Sequence, residues 1–347
     1  MNLLTNTVSL CEHCYRHVPA IRFERDGKIW LGKTCEEHGN VEHIIEPDSK
    51  FYKDFIYPRW EYKTYFIEVT NHCNLNCPHC YQIPNNSSIN RSLEDIISQI
   101  SNYPNDGYSI CLAGAEPTVR KDLDQLIREI NNLPGKPRDI IILTNGVNLS
   151  KIEYAKKFIN IKNIFWTFGL NHPDYHGNYI RDKQLLGLQN CIDLGLNIKN
   201  ISYTLEGLHQ LEYCLTEILD FRSRFCEKFR IRVSADIGRN PKEPDIYLSQ
   251  LVKSVQKICE KNNWTYKEEM SSGIRAHFPV YINDVYIKLI QWPNVKTIDL
   301  EEMQTETWAD FLPGKPISSL IHQAILRDAI INKNITLNDT IPERFRR

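Results

Sequence analysis

From Thr64 to about Asn263 the chain alternates short β-rich apolar runs with segments whose apolar residues recur three and four positions apart. The runs at Tyr65–Thr70, Tyr108–Ala113, Asp139–Thr144, Asn163–Gly169, Ile198–Leu205 and Phe229–Ser234 predict six strands. Amphipathic helices are expected between them. Leu93, Ile96, Ile97 and Ile100 form one such stripe, opened by Ser92 as an N-cap, and Leu123, Leu126, Ile127 and Ile130 form another. Six βα units in succession predict an α/β fold with a parallel sheet. Right-handed crossovers curl such a series into a full or partial (β/α)6 TIM-like barrel, and chemistry then sits beyond the carboxyl ends of the strands.

Both flanks have a different pattern. Residues 8–46 hold two alternating runs, Ala20–Glu24 and Lys28–Leu31, around Asp26-Gly27, a hairpin signal set between Cys11-x2-Cys14 and Cys35-x2-His38. The organisation predicted is a metal-binding unit over 1–48, a linker over 49–63, the barrel over 64–263 and an α+β cap over 264–347. The cap begins with a hairpin turning at Asn283-Asp284, followed by a helix near Pro316–Ile331.

Composition narrows the function. Lys and Arg number 42 against 43 Asp and Glu, so no global field favours nucleic acid or an anionic membrane. The N-terminus lacks a signal-peptide pattern and no window is apolar enough to span a bilayer, which predicts a cytoplasmic protein with no membrane partner. Eleven cysteines are many for a reducing compartment. Five of them, Cys111, Cys191, Cys214, Cys226 and Cys259, are dispersed in apolar segments and read as packing residues. The other six are clustered, which points to metal or catalysis.

Cys73, Cys77 and Cys80 fall at spacings of four and three directly after the first predicted barrel strand. Three thiolates with a fourth ligand would suit zinc, but His72 and His79 lie on the same short loop and make poor fourth ligands. Three thiolates alone suit a [4Fe–4S] cluster with one iron open. This C-x3-C-x2-C loop resembles the signature of the radical S-adenosylmethionine (radical SAM) enzymes. The later strand ends extend the resemblance: Gly114-Ala115-Glu116 is similar to the family's Gly-Gly-Glu motif with one glycine replaced, and Thr144-Asn145-Gly146 follows the third strand.

The resemblance implies that Glu116 accepts hydrogen bonds from the methionine ammonium of the cofactor. It further implies that Asn171 lies near the ribose and that Arg181 pairs with the cofactor carboxylate. Thr204, Glu206 and Asp236 stand at the fifth and sixth strand ends, and His79 and Tyr81 either contact the adenine or shield the cluster. The cofactor supplies the hard chemistry, a 5′-deoxyadenosyl radical made by reductive cleavage, while the protein positions a C–H bond and excludes water. An electron donor such as flavodoxin or ferredoxin is implied.

In the first cysteine group, Cys11, Cys14, Cys35 and His38 form a two-knuckle Cys₃His pattern, with His13 and His17 as alternative ligands. A unit of this size needs a staple, and a histidine ligand favours zinc over rubredoxin-like iron. It resembles the N-terminal unit of archaeal pterin-methylating and tetraether-lipid radical enzymes. No cysteine follows Cys259, where peptide maturases often carry auxiliary clusters, and no basic stripe suggests nucleic acid. A small polar metabolite is therefore expected as substrate. The candidates to meet it are His172, Asp174, Tyr175, His176, Tyr203 and Asp236, while Trp292 in the cap reads either as a cover for the mouth or, the favoured reading, as a plain hydrophobic contact. Two alternatives remain: a peptide- or protein-modifying maturase, and a non-catalytic adaptor with zinc at both cysteine groups.

Overall fold

The computed structural model describes residues 2–54, 64–78, 80, 82, 84–103, 107–222, 224–233, 246–269, 277–291 and 294–299. His79, Tyr81, Asp236, Trp292 and the expected helix at 316–331 lie outside the described residues.

Four antiparallel strands in the order β1-β2-β3-β4 make the N-terminal unit: β1 Asn2–Leu10, β2 His17–Arg25, β3 Lys28–Cys35 and β4 Gly39–Glu46. Asp26 and Gly27 both take positive φ between β2 and β3, the geometry of a two-residue turn that follows strand twist. Leu10, Phe23, Ile29 and Leu31 are fully buried in this small sheet. A short helix, α1 Ser49–Asp54, opens the segment expected to be linker.

Among the described residues the second sheet has nine strands, in the order β11-β12-β13-β10-β9-β8-β7-β6-β5. Six of them fall on the predicted runs: β5 Thr64–Thr70, β6 Ser109–Gly114, β7 Ile140–Thr144, β8 Ile164–Asn171, β9 Ile198–Leu205 and β10 Lys228–Val233. They pair in parallel, each with the next. Between them run α2 Leu93–Ser101, α3 Leu123–Asn131, α4 Ile152–Ala155, α5 Gly177–Asp193 and α6 Leu211–Phe221, and α7 Leu248–Lys261 follows β10. Ser92 caps α2 by accepting from the Asp95 amide at 3.0 Å.

The last three strands are β11 Tyr266–Glu268, β12 His277–Ile282 and β13 Val285–Gln291. The hairpin turns at Asn283 and Asp284, both at positive φ. The hairpin does not stand apart from the barrel. β13 lies parallel to β10 and extends the sheet by a seventh parallel strand.

Alternation along the strands separates two faces. Phe229, Ile231 and Val233 of β10 and Val285, Ile287 and Leu289 of β13 join the apolar core with Leu251, Val252 and Val255 of α7. Arg230, Arg232, Tyr286 and Lys288 occupy the opposite face. Burial pushes the Cys111 thiol on β6 up to about 12, and Arg230 on β10 and Lys199 on β9 draw it back. Three strands separate β6 from β10, about 19 Å in a flat sheet, so the sheet must curl to bring these charges near the thiol. The face carrying Arg230 is the concave one. All five dispersed cysteines are buried.

The small unit packs on the barrel's last elements. Glu46 accepts hydrogen bonds from the Ser249 hydroxyl and amide, Lys253 pairs with Asp48 at 2.7 Å, and Phe51 stacks on Phe278. Buried Lys33 donates to the carbonyls of Leu10 (3.0 Å) and Val295 (2.7 Å), and Thr7 donates to Asp299 at 2.6 Å.

Candidate functional site

The loop after β5 crosses the carboxyl end of the parallel strands and is fixed there by polar contacts. The Cys73 amide donates to Asn86 Oδ1 at 2.9 Å, and Asn86 Nδ2 returns a bond to the Cys73 carbonyl at 3.1 Å. His72 Nε2 lies 2.6 Å from the Ser88 carbonyl, which fixes the proton on that nitrogen. The Cys80 amide donates to the Cys77 carbonyl at 3.3 Å.

Three side chains from two later strand ends reach these thiols. Asn145, just beyond β7, places Nδ2 3.9 Å from Cys73 Sγ. Asn171, the last residue of β8, places Nδ2 3.7 Å from Cys77 Sγ. His176, five residues on, places Nε2 3.1 Å from the same sulfur. A thiolate bound to iron can only accept hydrogen bonds, so side-chain N–H groups aimed at the sulfurs suit a cluster in this loop.

Glu116 follows β6 and is buried. Its Oε1 accepts from the Thr118 amide (3.0 Å), the Thr118 hydroxyl (2.6 Å) and the Thr144 hydroxyl (2.7 Å), while Oε2 accepts from the Asn145 amide (2.6 Å). Burial nevertheless holds its pKa above the ordinary carboxylate value. Oε1 is saturated, and Oε2 keeps room for one more donor such as an ammonium. Glycine is required at 114 on two counts: its φ is +131°, and a Cβ there would meet the Thr70 carbonyl oxygen at 2.3 Å. Ala115 is not among the positive-φ residues and its amide donates to the Thr70 carbonyl, so alanine in place of the family's second glycine brings no strain. At Gly146 a Cβ would strike the Phe168 ring at 2.6 Å.

The other predicted residues are distributed unevenly. Arg181 is buried on α5, ion-paired with Glu217 of α6, and its Nη1 reaches the Asn171 carbonyl at 3.4 Å. Tyr203 is fully buried and donates to Glu217 at 2.6 Å, so it faces the α6 layer and not the concave interior. His172 packs edge-on to Tyr213 and pairs with exposed Asp174, and Tyr175 donates to Gln210 at 3.0 Å. Thr204 faces the interior and accepts from Arg232 at 3.2 Å. Glu217 and Gln184 did not stand out in the sequence. Gln184 is buried and donates to the carbonyls of Asn145 (2.9 Å) and Gly169 (3.2 Å), tying α5 to two strand ends. A polar residue within a helical apolar stripe was the one available signal.

In the N-terminal unit the donor atoms of Cys11, Cys14, Cys35 and His38 all lie within 4.8 Å of one another. Cys14 Sγ is 3.9 Å from Cys35 Sγ, and His38 Nδ1 is 3.6 Å from Cys11 Sγ and 3.4 Å from Cys35 Sγ. Tetrahedral zinc would set these edges at about 3.8 Å for S···S and about 3.5 Å for S···N. The four residues fit the ion. His13 stacks on the His38 ring instead of joining them.

Residues 67–211 match the radical SAM superfamily, and residues 3–47 match the HMPTM N-terminal zinc ribbon domain. The chain thus carries a radical SAM domain and an N-terminal zinc ribbon, an assignment that implies a [4Fe–4S] cluster, S-adenosylmethionine and a structural zinc. Among its relatives is the 7,8-dihydro-6-hydroxymethylpterin dimethyltransferase of Methanocaldococcus jannaschii, 32% identical over 235 residues that cover 55% of this chain and 45% of that protein. Another is the GTP 3′,8-cyclase of Alkaliphilus metalliredigens, 30% identical over 166 residues that cover 45% of this chain and 50% of that one. The chain thus spans about half the length of these two curated relatives. Streptococcus suis SuiB bound to precursor peptide SuiA superimposes with a TM-score of 0.52 at 15% identity, over 85% of this chain and 67% of that one. At that identity the likeness shows the fold alone. Among the described residues no helix is long and apolar enough to cross a membrane.

Proposed function

We propose that this protein is a radical SAM enzyme acting on a small polar metabolite, with Cys73, Cys77 and Cys80 holding the [4Fe–4S] cluster. The observation that carries this reading is the meeting, at one barrel mouth, of a three-cysteine loop with Glu116, Asn145, Asn171 and His176 from successive strand ends. When bound, the cluster and S-adenosylmethionine supply a one-electron reductive cleavage and a 5′-deoxyadenosyl radical that abstracts hydrogen from substrate. The chain's own residues bind and orient.

Glu116 Oε2 takes the ammonium of the cofactor in its remaining acceptor position. Asn171 and Thr204 line the interior for the ribose and nucleobase. Arg181, turned by Glu217, is placed to meet a carboxylate only if that pair opens or shares its guanidinium. A small reduced protein such as a flavodoxin or ferredoxin supplies the electron. The names of the relatives indicate a pterin and GTP as their substrates, both small and polar, which supports the same class here.

The test is anaerobic. Reduced, cluster-loaded protein should release 5′-deoxyadenosine from S-adenosylmethionine, and a cell-extract fraction below a few kilodaltons should raise the rate. Stimulation confined to a protease-sensitive retained fraction would instead make the substrate a peptide or protein. Colourless protein with zinc at both cysteine groups and no cleavage would leave the adaptor.

A further inference from the structure

Arg230 and Arg232 stand two residues apart on β10, on its concave face, and Lys288 stands beside Arg230 on β13. The register fixes their height in the barrel. Asn171, Thr204 and Arg232 form one layer across β8, β9 and β10, while Gly169, Ser202, Arg230 and Lys288 form the layer beneath. Three cationic side chains therefore converge on one patch of the interior, one of them level with the asparagine that reaches Cys77.

Such an arrangement is costly. Burial and the nearby charges of Arg230 and Lys228 depress the Lys288 pKa, against which Glu269 acts. Lys199 adds a fourth positive charge lower in the barrel, where burial depresses its pKa, Asp139 acts to raise it and Arg230 lowers it further. Both arginines already have other partners, so a ligand would join or displace these. Desolvated like charges side by side oppose folding, and sites that keep them are commonly sites that bind the opposite charge.

We propose that Arg230, Arg232 and Lys288 form an oxyanion-binding subsite within the barrel, and that the substrate is a phosphorylated small molecule. Three cations exceed what a single carboxylate neutralises, whereas a phosphate monoester carries close to two negative charges and three acceptor oxygens. The guanidinium forks suit its planar pairs of oxygens and the ammonium acts as a point charge. Two strand spacings, about 10 Å, separate the Asn171 and Arg232 strands. A phosphate held there leaves room for the body of a metabolite between it and the cysteine loop, so that a carbon of that body, not the phosphate end, meets the radical.

This inference deepens the enzymatic reading above and rests on it. The experiment is calorimetric titration of full-length, cluster-loaded protein with inorganic pyrophosphate, with inorganic phosphate and malonate as comparisons. Pyrophosphate should bind, phosphate more weakly, and malonate at least tenfold more weakly than pyrophosphate. Lys288→Gln and Arg232→Gln should each weaken pyrophosphate about tenfold, since each removes a charge-assisted contact. Lys288→Arg should restore most of the loss, and thermal melts confirm that each variant is folded. Pyrophosphate that does not bind, or that binds the glutamine variants as tightly as the wild type, overturns the subsite; malonate binding as well as pyrophosphate overturns the phosphate assignment. Cleavage of S-adenosylmethionine by the wild type is measured alongside. Its absence sinks the enzymatic reading, whereas cleavage without pyrophosphate binding sinks the subsite alone.

Discussion

His176 Nε2 lies 3.1 Å from Cys77 Sγ, although 99 residues separate the two in the chain. A metal-bound thiolate has no proton to give, so the imidazole must be the donor, from the Nε2–H tautomer. Hydrogen bonds to cluster sulfurs stabilise the more negative, reduced state and raise its potential. His176→Ala should therefore keep its iron yet shift the cluster midpoint downward, on the order of 20 to 60 mV for the loss of one such bond. Potentiometric titration followed by electron paramagnetic resonance reads this directly. An unchanged midpoint with full iron content would mean that the contact does not persist in the loaded protein.

Glu116→Gln tests a different element. Whichever way the amide is turned, its NH₂ group faces a backbone N–H, that of Asn145 or that of Thr118, and one of them loses its acceptor. The expected cost is about 1–3 kcal/mol of barrel stability, read by denaturant unfolding under anaerobic conditions. Binding of S-adenosylmethionine should weaken by about tenfold, since a charged acceptor for an ammonium becomes a neutral one. Normal affinity in a folded variant would remove Glu116 from the cofactor site.

The strand positions were legible because each buried parallel strand is a short apolar run and each helix shows its stripe. Predicted and observed strands differ by one or two residues at most of their ends. The N-terminal group of Cys11, Cys14, Cys35 and His38 was legible because ligand spacing is local. What the sequence hid is what depends on curvature and register. That Arg230 shares a layer with Lys288 requires knowing that β13 adds in parallel beside β10, whereas a hairpin at the end of a barrel reads as a separate cap. Tyr203 looked like an interior residue at a strand end, yet pleating turns it to α6. Glu217 was unremarkable on an amphipathic helix until α5 and α6 brought Arg181 against it.

The zinc ribbon should be separable from the cluster by substitution. Cys11→Ala should lose zinc and keep iron, while Cys73→Ala should do the reverse, as metal analysis of both proteins would show. Zinc binding in such units is a large part of their folding free energy, about 10–16 kcal/mol, so the first variant should lose the ribbon's fold. The damage should also reach the barrel. Thr7, Ser9 and Lys33 hold Val295, Ile298 and Asp299, the segment just past β13, through hydrogen bonds of 2.6–2.7 Å. Amide exchange should therefore speed up in Asn294–Asp299 as well as in the ribbon. Exchange confined to the ribbon would show that the two parts are not coupled.

Arg181 and Glu217 form a buried pair between α5 and α6, with only 6% and 14% of their side chains exposed. Tyr203 adds its hydroxyl to the same carboxylate. Removing one partner of such a pair leaves a charge without compensation, so Glu217→Ala should cost about 3–5 kcal/mol, read as a lower denaturation midpoint. Replacing both ends, Arg181→Met with Glu217→Leu, should recover most of that loss, because well-packed apolar residues of similar size remove both desolvation penalties. Function should not follow stability. If Arg181 meets the cofactor carboxylate, the double variant will be stable but will bind S-adenosylmethionine weakly, whereas Glu217→Gln, which keeps the guanidinium and a hydrogen-bond acceptor, will retain much of the affinity. Equal affinity in the double variant and the wild type would make the pair purely a clamp between two helices and would move the carboxylate contact elsewhere in the mouth.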